Sequence, residues 1–221
     1  MIKATFWDFN GVVIADTWAN YESDCVTLAH FGGRHHTLAE HRRTASIPAN
    51  TFYITHGCDP EELKRRKAEF GEVFHTAYET RAVRCRTRIG VRSTLQFLQT
   101  RAIPAAIFSN HTEFGIMAQL RRLQLTGMFG KVYANTEQSS SIVGRNKRAW
   151  VAEHFRTLGH RPNEILIIGD SPEETAIGKE LGLVTVALTM GEYDTARLRQ
   201  AKPDHLIHRV SKVIDIIKQY D

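Results

Sequence analysis

Short polar residues follow three apolar segments of this chain, and they are the first candidates for chemistry. The three sets are Asp8 with Asn10, Ser109 with Asn110, and Asp170 with Ser171. If the apolar segments are parallel strands, their carboxyl ends lie on one edge of a sheet, where ligands of open α/β sheets bind. Lys147, at the start of a predicted helix, would add an ammonium group to that edge. Two carboxylates, a hydroxyl and an ammonium around one point predict a site for a phosphate and a divalent cation such as Mg²⁺.

Each of these residues also has a purely structural interpretation. Asp8 could simply cap the turn that follows the first strand, because aspartate is common in turns. Ser109 is a typical helix cap. Lys147 could lie at a solvated helix start while Arg145 or Arg148 meets the anion. The convergence of three strand ends favours the chemical interpretation.

Strands and helices alternate from about residue 89 to the end of the chain. After a first strand that ends near Asp8, apolar runs predict strands at 103–108, 131–134, 164–169, 184–188 and 205–207. Helical patterns lie at 91–100, 112–123, 146–158 and 172–181, and a last one begins at Ser211. Strands that alternate with such helices indicate βαβ units. We therefore expect an α/β fold with a Rossmann-like parallel sheet and helices on both faces.

The segment between the first two strands contains signals for helices only. We predict helices at 17–31, from about Thr37 to an interruption at Pro48, and from Pro60 to about Tyr78. Glu40 lies at capping-box distance from Thr37. The chain is therefore expected to form a core domain from 1–16 and 89–221 and an inserted all-α cap domain from 17–88.

The net charge of +5 is concentrated in one segment. Residues 34–92 contain 12 Lys and Arg against 7 Asp and Glu, whereas the rest of the chain contains 17 of each. A basic surface attracts anions, although runs such as 64–67 are also typical of a solvated helix face. No motif supports nucleic-acid binding, so we expect no nucleic-acid partner.

No apolar run is long enough to span a membrane, and the start of the chain does not resemble a signal peptide. We therefore expect a cytoplasmic protein without a membrane partner, either a monomer or a homodimer. The three cysteines, without CxxC spacing, are expected to be reduced thiols.

Four motifs in order resemble those of the haloacid dehalogenase superfamily, a group of aspartate-nucleophile phosphohydrolases. They are Trp7-Asp8-Phe9-Asn10-Gly11, Phe108-Ser109-Asn110, Lys147, and Ile168-Gly169-Asp170-Ser171-Pro172-Glu173-Glu174. The resemblance covers the chain nearly end to end. It is strongest to the branch with a helical cap after the first motif, which includes phosphoglycolate phosphatase and β-phosphoglucomutase.

The resemblance implies a role for each motif. Asp8 would attack phosphorus and form an aspartyl phosphate. Ser109 and Lys147 would hold the phosphoryl oxygens, with backbone N–H groups near Gly11 and Asn110 completing the cradle.

The resemblance also implies Mg²⁺ as the cofactor. Its ligands would be the carboxylates of Asp8 and Asp170 and the backbone carbonyl of Asn10, with Glu174 acting directly or through water.

Asn10 departs from the family pattern, which usually has Asp at this position as a general acid and base. An amide cannot transfer that proton, a step that typically contributes about 10² to 10⁴ in rate. The sequence leaves three explanations open. The residue could be naturally Asn with another proton source, it could be an engineered substitution, or the leaving group could need little protonation.

Substrate choice is expected to rest with the insert, where Arg42 and Arg43 are candidates for a second anionic group, although a surface role is equally consistent. The leading hypothesis is a Mg²⁺-dependent phosphatase of a small phosphorylated metabolite. The alternatives are a phosphomutase of the same family and a non-catalytic protein that binds a phospho-ligand.

Overall fold

A computed structural model describes residues 1–140 and 146–221 of the chain. Arg145, one of the two alternatives to Lys147 as the anion-binding cation, lies outside the described residues.

The core of the described structure is a six-stranded parallel sheet with the strand order β3-β2-β1-β4-β5-β6. The strands are β1 (Ala4–Trp7), β2 (Ala105–Thr112), β3 (Lys131–Asn135), β4 (Ile165–Gly169), β5 (Val184–Leu188) and β6 (His205–Ile207). The strand order changes direction at β1, so the crevice beyond the carboxyl end of β1 is the expected ligand position. The predicted α/β fold class is confirmed.

Helices cover both faces of this sheet. Outside the insert they are α6 (Val91–Thr100), α7 (Glu113–Arg122), α8 (Lys147–Leu158), α9 (Pro172–Leu181), α10 (Thr195–Gln200) and α11 (Lys212–Gln219). Side chains of β1 alternate between two hydrophobic cores, because successive residues of a strand point to opposite faces. Phe6 belongs to the core that includes residues of α8 and α9, and Trp7 to the core that includes α6, α7 and α11.

Five helices lie between β1 and α6. They are α1 (Thr17–His30), α2 (Leu38–Thr44), α3 (Asn50–Thr55), α4 (Pro60–Arg65) and α5 (Lys67–Ala82). The predicted capping box between Thr37 and Glu40 is present at the start of α2. These helices share a hydrophobic cluster of their own, which includes Leu28, Phe52 and Phe70. The division into core and cap domains at 17–88 stays a prediction.

The structure corrects the prediction of one helix from Pro60 to Tyr78. Arg66 leaves helical geometry, with φ of −103° and ψ of 31°, and separates α4 from α5. Its guanidinium group lies 4.7 Å from the centroid of the Phe31 ring and also pairs with Glu69. These contacts hold the side chain against α1, and the second helix then continues to Ala82.

Two further helices, α3 and α10, were missed by the sequence patterns, because six residues are too few to show a helical period. The second predicted strand is also longer than expected. Beyond Phe108 its pairing with β3 shifts register and resumes at Thr112, so Ser109 and Asn110 lie in an irregular part of β2.

The two connections between the insert and the sheet run side by side. The N–H of Ala15 donates to the carbonyl of Arg86 at 2.8 Å, and the N–H of Arg88 donates to the carbonyl of Val13 at 3.1 Å. We call residues 13–15 and 86–88 the linker ribbon. Within the described residues, every helix is too short or too polar to cross a membrane.

Candidate active site

Asp8 follows β1 directly, at the point where the strand order of the sheet reverses. Its Oδ1 accepts a hydrogen bond of 2.7 Å from the N–H of Phe9, and its Oδ2 lies 3.0 Å from Nζ of Lys147. The side chain lines a cavity and is otherwise buried. Burial is the largest cause that raises the pKa of Asp8 well above its usual range, and Lys147 opposes that rise.

Lys147 is the first residue of α8, and its ammonium group is almost fully buried, with 1% exposure. It is paired with Asp8, with Glu173 at 3.4 Å and with Glu174. Burial alone would lower the pKa of Lys147, but these three carboxylates outweigh it and hold the pKa well above the usual range. Lys147 is therefore a fixed positive charge beside Asp8.

Asp170 follows β4, which pairs with β1, so its carboxyl group lies near that of Asp8. Burial raises the pKa of Asp170 well above its usual value, and nearby Glu192 adds to this. The Oδ2 atom of Asp170 accepts a hydrogen bond of 2.8 Å from the N–H of Glu192. A Cβ atom on Gly11 or Gly191 would lie 2.0 or 1.9 Å from that oxygen, so two glycines leave the space for this carboxylate.

These observations fit a divalent cation. Asp8 and Asp170 are buried carboxyls whose charged forms need a counter-charge beyond the one that Lys147 supplies. The atoms that could bind the cation are all oxygens, which are the ligands that Mg²⁺ prefers. Glu174 is placed differently, because Lys147 pairs with its Oε1 and the N–H and hydroxyl of Ser171 donate to its Oε2. Its carboxylate thus supports Lys147, and a direct metal contact by Glu174 stays a prediction.

Ser109 and Asn110 of β2 reach the same cavity. The Ser109 hydroxyl donates to Oδ1 of Asn10 at 3.4 Å and accepts from the N–H of His111. The Asn110 amide donates to Glu173 at 2.9 Å. The structure therefore brings the side chains of the three strand ends to one place, together with Lys147.

Asn10 is held by residues that the motifs did not identify. Its Nδ2 donates to Oδ2 of Asp16 at 2.6 Å and to the hydroxyl of Tyr78 at 2.8 Å. Asp16 is fully buried and also accepts from the N–H of Gly11 at 2.7 Å. The Gly11 N–H, predicted to face a phosphate, is thus bonded to Asp16. An amide at position 10 matches this neighbourhood, because it donates to a carboxylate that lies within contact distance.

The cavity has a volume of about 180 Å³ and lies between the sheet edge and the insert. Its wall includes aromatic residues of the insert, namely Phe52, Tyr53, Phe70, Phe74 and Tyr78. Arg42 and Arg43 lie outside the residues that line it. Nε of Arg42 instead donates to the carbonyl of Gly191 at 3.1 Å, and Arg43 is exposed.

A second polar cluster lines the same cavity. His41 of α2 lies 2.8 Å from Oε2 of Glu192 and 3.5 Å from Oδ2 of Asp24. The hydroxyl of Tyr53 donates to Asp24, and the amide of Asn20 donates to Glu192 at 2.7 Å. Sequence reasoning missed this cluster because its members come from three helices and a loop, without a shared spacing.

A comparison with protein-family models shows the family to which the chain belongs. The model described as haloacid dehalogenase-like hydrolase matches residues 5–188. The chain belongs to this family. The expectation of a hydrolase of this family, drawn from the four motifs, is confirmed.

Individual relatives are more distant. A phosphoglycolate phosphatase from Synechococcus elongatus is 28% identical over 130 residues. That match spans 59% of this chain and only 58% of the relative's length.

Two solved structures share the fold of the family. A hydrolase from Pseudomonas syringae aligns with a TM-score of 0.78 at 15% identity and 98% coverage of both chains. A structure described as a predicted phosphoglycolate phosphatase from Haemophilus somnus aligns with a TM-score of 0.76 at 17% identity, also with 98% coverage of both.

Proposed function

We propose that the chain is a phosphatase that hydrolyses a small phosphomonoester through an aspartyl phosphate on Asp8, with Mg²⁺ as cofactor. The observation that carries this proposal is the position of Asp8. It is a buried carboxylate at the carboxyl end of β1, 3.0 Å from the ammonium group of Lys147, in the wall of a small cavity. The similarity to a phosphoglycolate phosphatase supports phosphomonoesters as the substrate class.

Asp8 would supply the nucleophile. A carboxylate oxygen forms a bond to phosphorus while the bond from phosphorus to the alcohol oxygen breaks, and the electron pair leaves with that oxygen. Water then attacks the phosphorus of the acyl phosphate and releases inorganic phosphate and the free carboxylate. Because the Asn10 amide cannot supply a proton, the leaving oxygen would take its proton from solvent in the cavity.

Lys147 and Ser109 would hold the transferred group. The ammonium group of Lys147 is buried and fixed by three carboxylates, so its charge is in place before the ligand arrives. The hydroxyl of Ser109 lines the cavity and can turn from Asn10 towards a phosphoryl oxygen.

Asp8, Asp170 and the backbone carbonyl of Asn10 would hold the Mg²⁺ ion, with Glu174 acting through water. When bound, the cation supplies the positive charge that lets an anionic carboxylate and an anionic phosphate approach each other.

The second candidate is a protein that binds a phospho-ligand without turnover. The observation that favours it is the Asn10 amide, which is bonded to both Asp16 and Tyr78 and leaves the position of the usual general acid without a titratable group. A phosphomutase would need the same proton transfer, so this neighbourhood gives it no advantage.

Phosphate release from a panel of phosphomonoesters, including p-nitrophenyl phosphate, with and without Mg²⁺, tests the proposal. We expect Mg²⁺-dependent release by the wild type and none by Asp8→Asn. Mass spectrometry of the quenched enzyme should show one added phosphoryl group on the peptide that contains Asp8. The phosphatase proposal fails if neither the wild type nor Asn10→Asp releases phosphate from any compound. Tight binding without a phosphorylated peptide would support the second candidate.

A further inference from the structure

The cavity wall beyond Asp8 and Lys147 is acidic and aromatic. Among the described residues that line it, Lys147 is the only Lys or Arg. Asp24 and Glu192 contribute carboxyl groups to the same wall, and five aromatic rings of the insert surround the space. A second anionic group on a substrate would need a positively charged side chain in this wall, because a buried charge must be paired. The wall beyond Lys147 offers carboxyl groups and aromatic rings instead.

The carboxyl groups of the site can be paired with their counter-charges one by one. Glu173 and Glu174 are paired with Lys147. Asp8 shares that lysine and, with Asp170, would hold the cation. The two carboxyls that then remain in the cavity wall are Asp24 and Glu192.

Within residues 1–140 and 146–221, Asp24 and Glu192 share one nearby imidazole, that of His41. If His41 were protonated and both carboxyls ionised, the cluster would still carry one excess negative charge. Burial is the largest cause that raises the pKa of Asp24 to about 7, which is the behaviour of a carboxyl without a full counter-charge.

Glu192 also has a carboxylate oxygen that lacks a hydrogen-bond donor among the described residues. Its Oε2 accepts from Asn20 and contacts His41, whereas its Oε1 is buried and accepts no hydrogen bond from the described residues. A buried carboxylate oxygen without a donor is costly, and a donor supplied by a bound molecule would remove that cost.

We propose that this cavity selects phosphomonoesters whose alcohol part carries an ammonium group, with Glu192 and Asp24 as the recognition carboxylates. The inference rests on the proposed function and names its substrate class. The ammonium group would donate to Oε1 of Glu192 and lie among aromatic rings, which attract cations. The volume of about 180 Å³ suits a short amino alcohol phosphate and is small compared with pockets for larger ligands.

Three non-hydrolysable phosphonates test recognition independently of turnover. They are 3-aminopropylphosphonate, butylphosphonate and 3-phosphonopropionate, which are close in size and differ in the charge of the far end. Calorimetric titration in the presence of Mg²⁺ should give a dissociation constant at least about tenfold lower for the amino compound than for the neutral one. The carboxylate should bind most weakly. Equal affinities, or tighter binding of the neutral or the anionic compound, would overturn the inference.

The matching substrates then separate this inference from the proposed function. If p-nitrophenyl phosphate is hydrolysed but phosphoglycolate is preferred to 2-aminoethyl phosphate in kcat/KM, the function stands and the substrate class is wrong. If nothing is hydrolysed but the phosphonates bind in the expected order, the function is wrong and the recognition stands.

Glu192→Gln and Asp24→Asn test the two named carboxyls. Each should reduce the preference for 3-aminopropylphosphonate over butylphosphonate by about threefold or more, because a charge is replaced by an amide of the same shape. Glu72→Gln, at an exposed position of α5, is the matched control and should keep the wild-type ratio. Urea unfolding of each variant shows whether it is folded, and folded variants that all keep the wild-type ratio would contradict the assignment.

Discussion

The amide nitrogen of Asn10 lies 2.6 Å from a carboxylate oxygen of Asp16, a residue that is fully buried. The position at which the family usually has an acid is therefore occupied by an amide that donates to another acid. This relationship makes Asn10 part of a hydrogen-bonded unit, and its replacement by Asp would place two carboxyl groups in contact.

Asn10→Asp should increase turnover of poor leaving groups. Two carboxyls in contact share a proton, which raises the pKa of one of them and gives the site a proton donor at neutral pH. We expect kcat for an alkyl phosphate to rise by about 10²-fold. The gain with p-nitrophenyl phosphate should be much smaller, because that leaving group needs little protonation. An equal gain for both substrates would argue against a missing general acid.

Asp16→Asn should destabilise the protein. Asp16 accepts hydrogen bonds from the side chain of Asn10, the N–H of Gly11 and the hydroxyl of Tyr78. An amide can accept at one atom only and would turn its NH₂ group towards a donor, so we expect a loss of about 3 kcal/mol in the free energy of unfolding. Urea denaturation measures this loss. Tyr78→Phe removes one of these three bonds and should cost less, and Asp215→Asn, at an exposed position of α11, should cost little.

Lys147→Met should remove activity and also reduce stability. The variant leaves Asp8, Glu173 and Glu174 without their shared ammonium group. Loss of one member of a buried ion pair costs about 3–5 kcal/mol. Urea unfolding and phosphate release measure the two effects, and exposed Lys64→Met serves as control. Wild-type stability of Lys147→Met would contradict the charge balance described for the site.

Gly191→Ala should weaken the response to Mg²⁺. The added Cβ would lie 1.9 Å from Oδ2 of Asp170 and must displace that carboxylate. A bound cation raises the stability of the wild type, by about 2.7 kcal/mol at a concentration of 100 Kd, and this increment should be smaller in the variant. Thermal unfolding with and without Mg²⁺ measures it. Gly130→Ala is the matched control, since its Cβ would come no closer than 3.9 Å to another atom.

The contribution of His75 to stability should fall as the pH is lowered below about 6.5. Burial, with a smaller contribution from His111, lowers the pKa of His75 to about 4. The unfolded state, with a pKa near about 6.5, binds more protons between these values, so acidification favours unfolding. The loss attributable to His75 is at most about 3 kcal/mol, complete near pH 4. The unfolding free energy of His75→Gln, relative to that of the wild type, should therefore rise as the pH is lowered from about 6.5 to about 4, whereas that of His35→Gln, whose side chain is exposed, should not change relative to the wild type.

The sequence predicted the sheet and the position of Asp8, Ser109, Lys147 and Asp170 because strand and helix ends carry local signals. It did not predict Asp16, which directly precedes α1 in a segment without a periodic pattern. It also did not predict Glu192, whose importance depends on how α2 packs against a loop of the core.

The surroundings of Arg42 could not be predicted from the sequence either. Arg42 was a candidate for a substrate contact, but a count of charges does not show which of them face a cavity. In the structure its guanidinium group donates to a backbone carbonyl beside Glu192.

The linker ribbon has a mechanical consequence. Two hydrogen bonds tie residues 13–15 to residues 86–88, so the connections cannot slide past each other without losing both. A change in the angle between the insert and the sheet would therefore bend both connections of the ribbon together. Because Asp24 and His41 belong to the insert and Glu192 to the core, any such change in angle would also change the distance between the two carboxyl groups proposed to recognise the ligand.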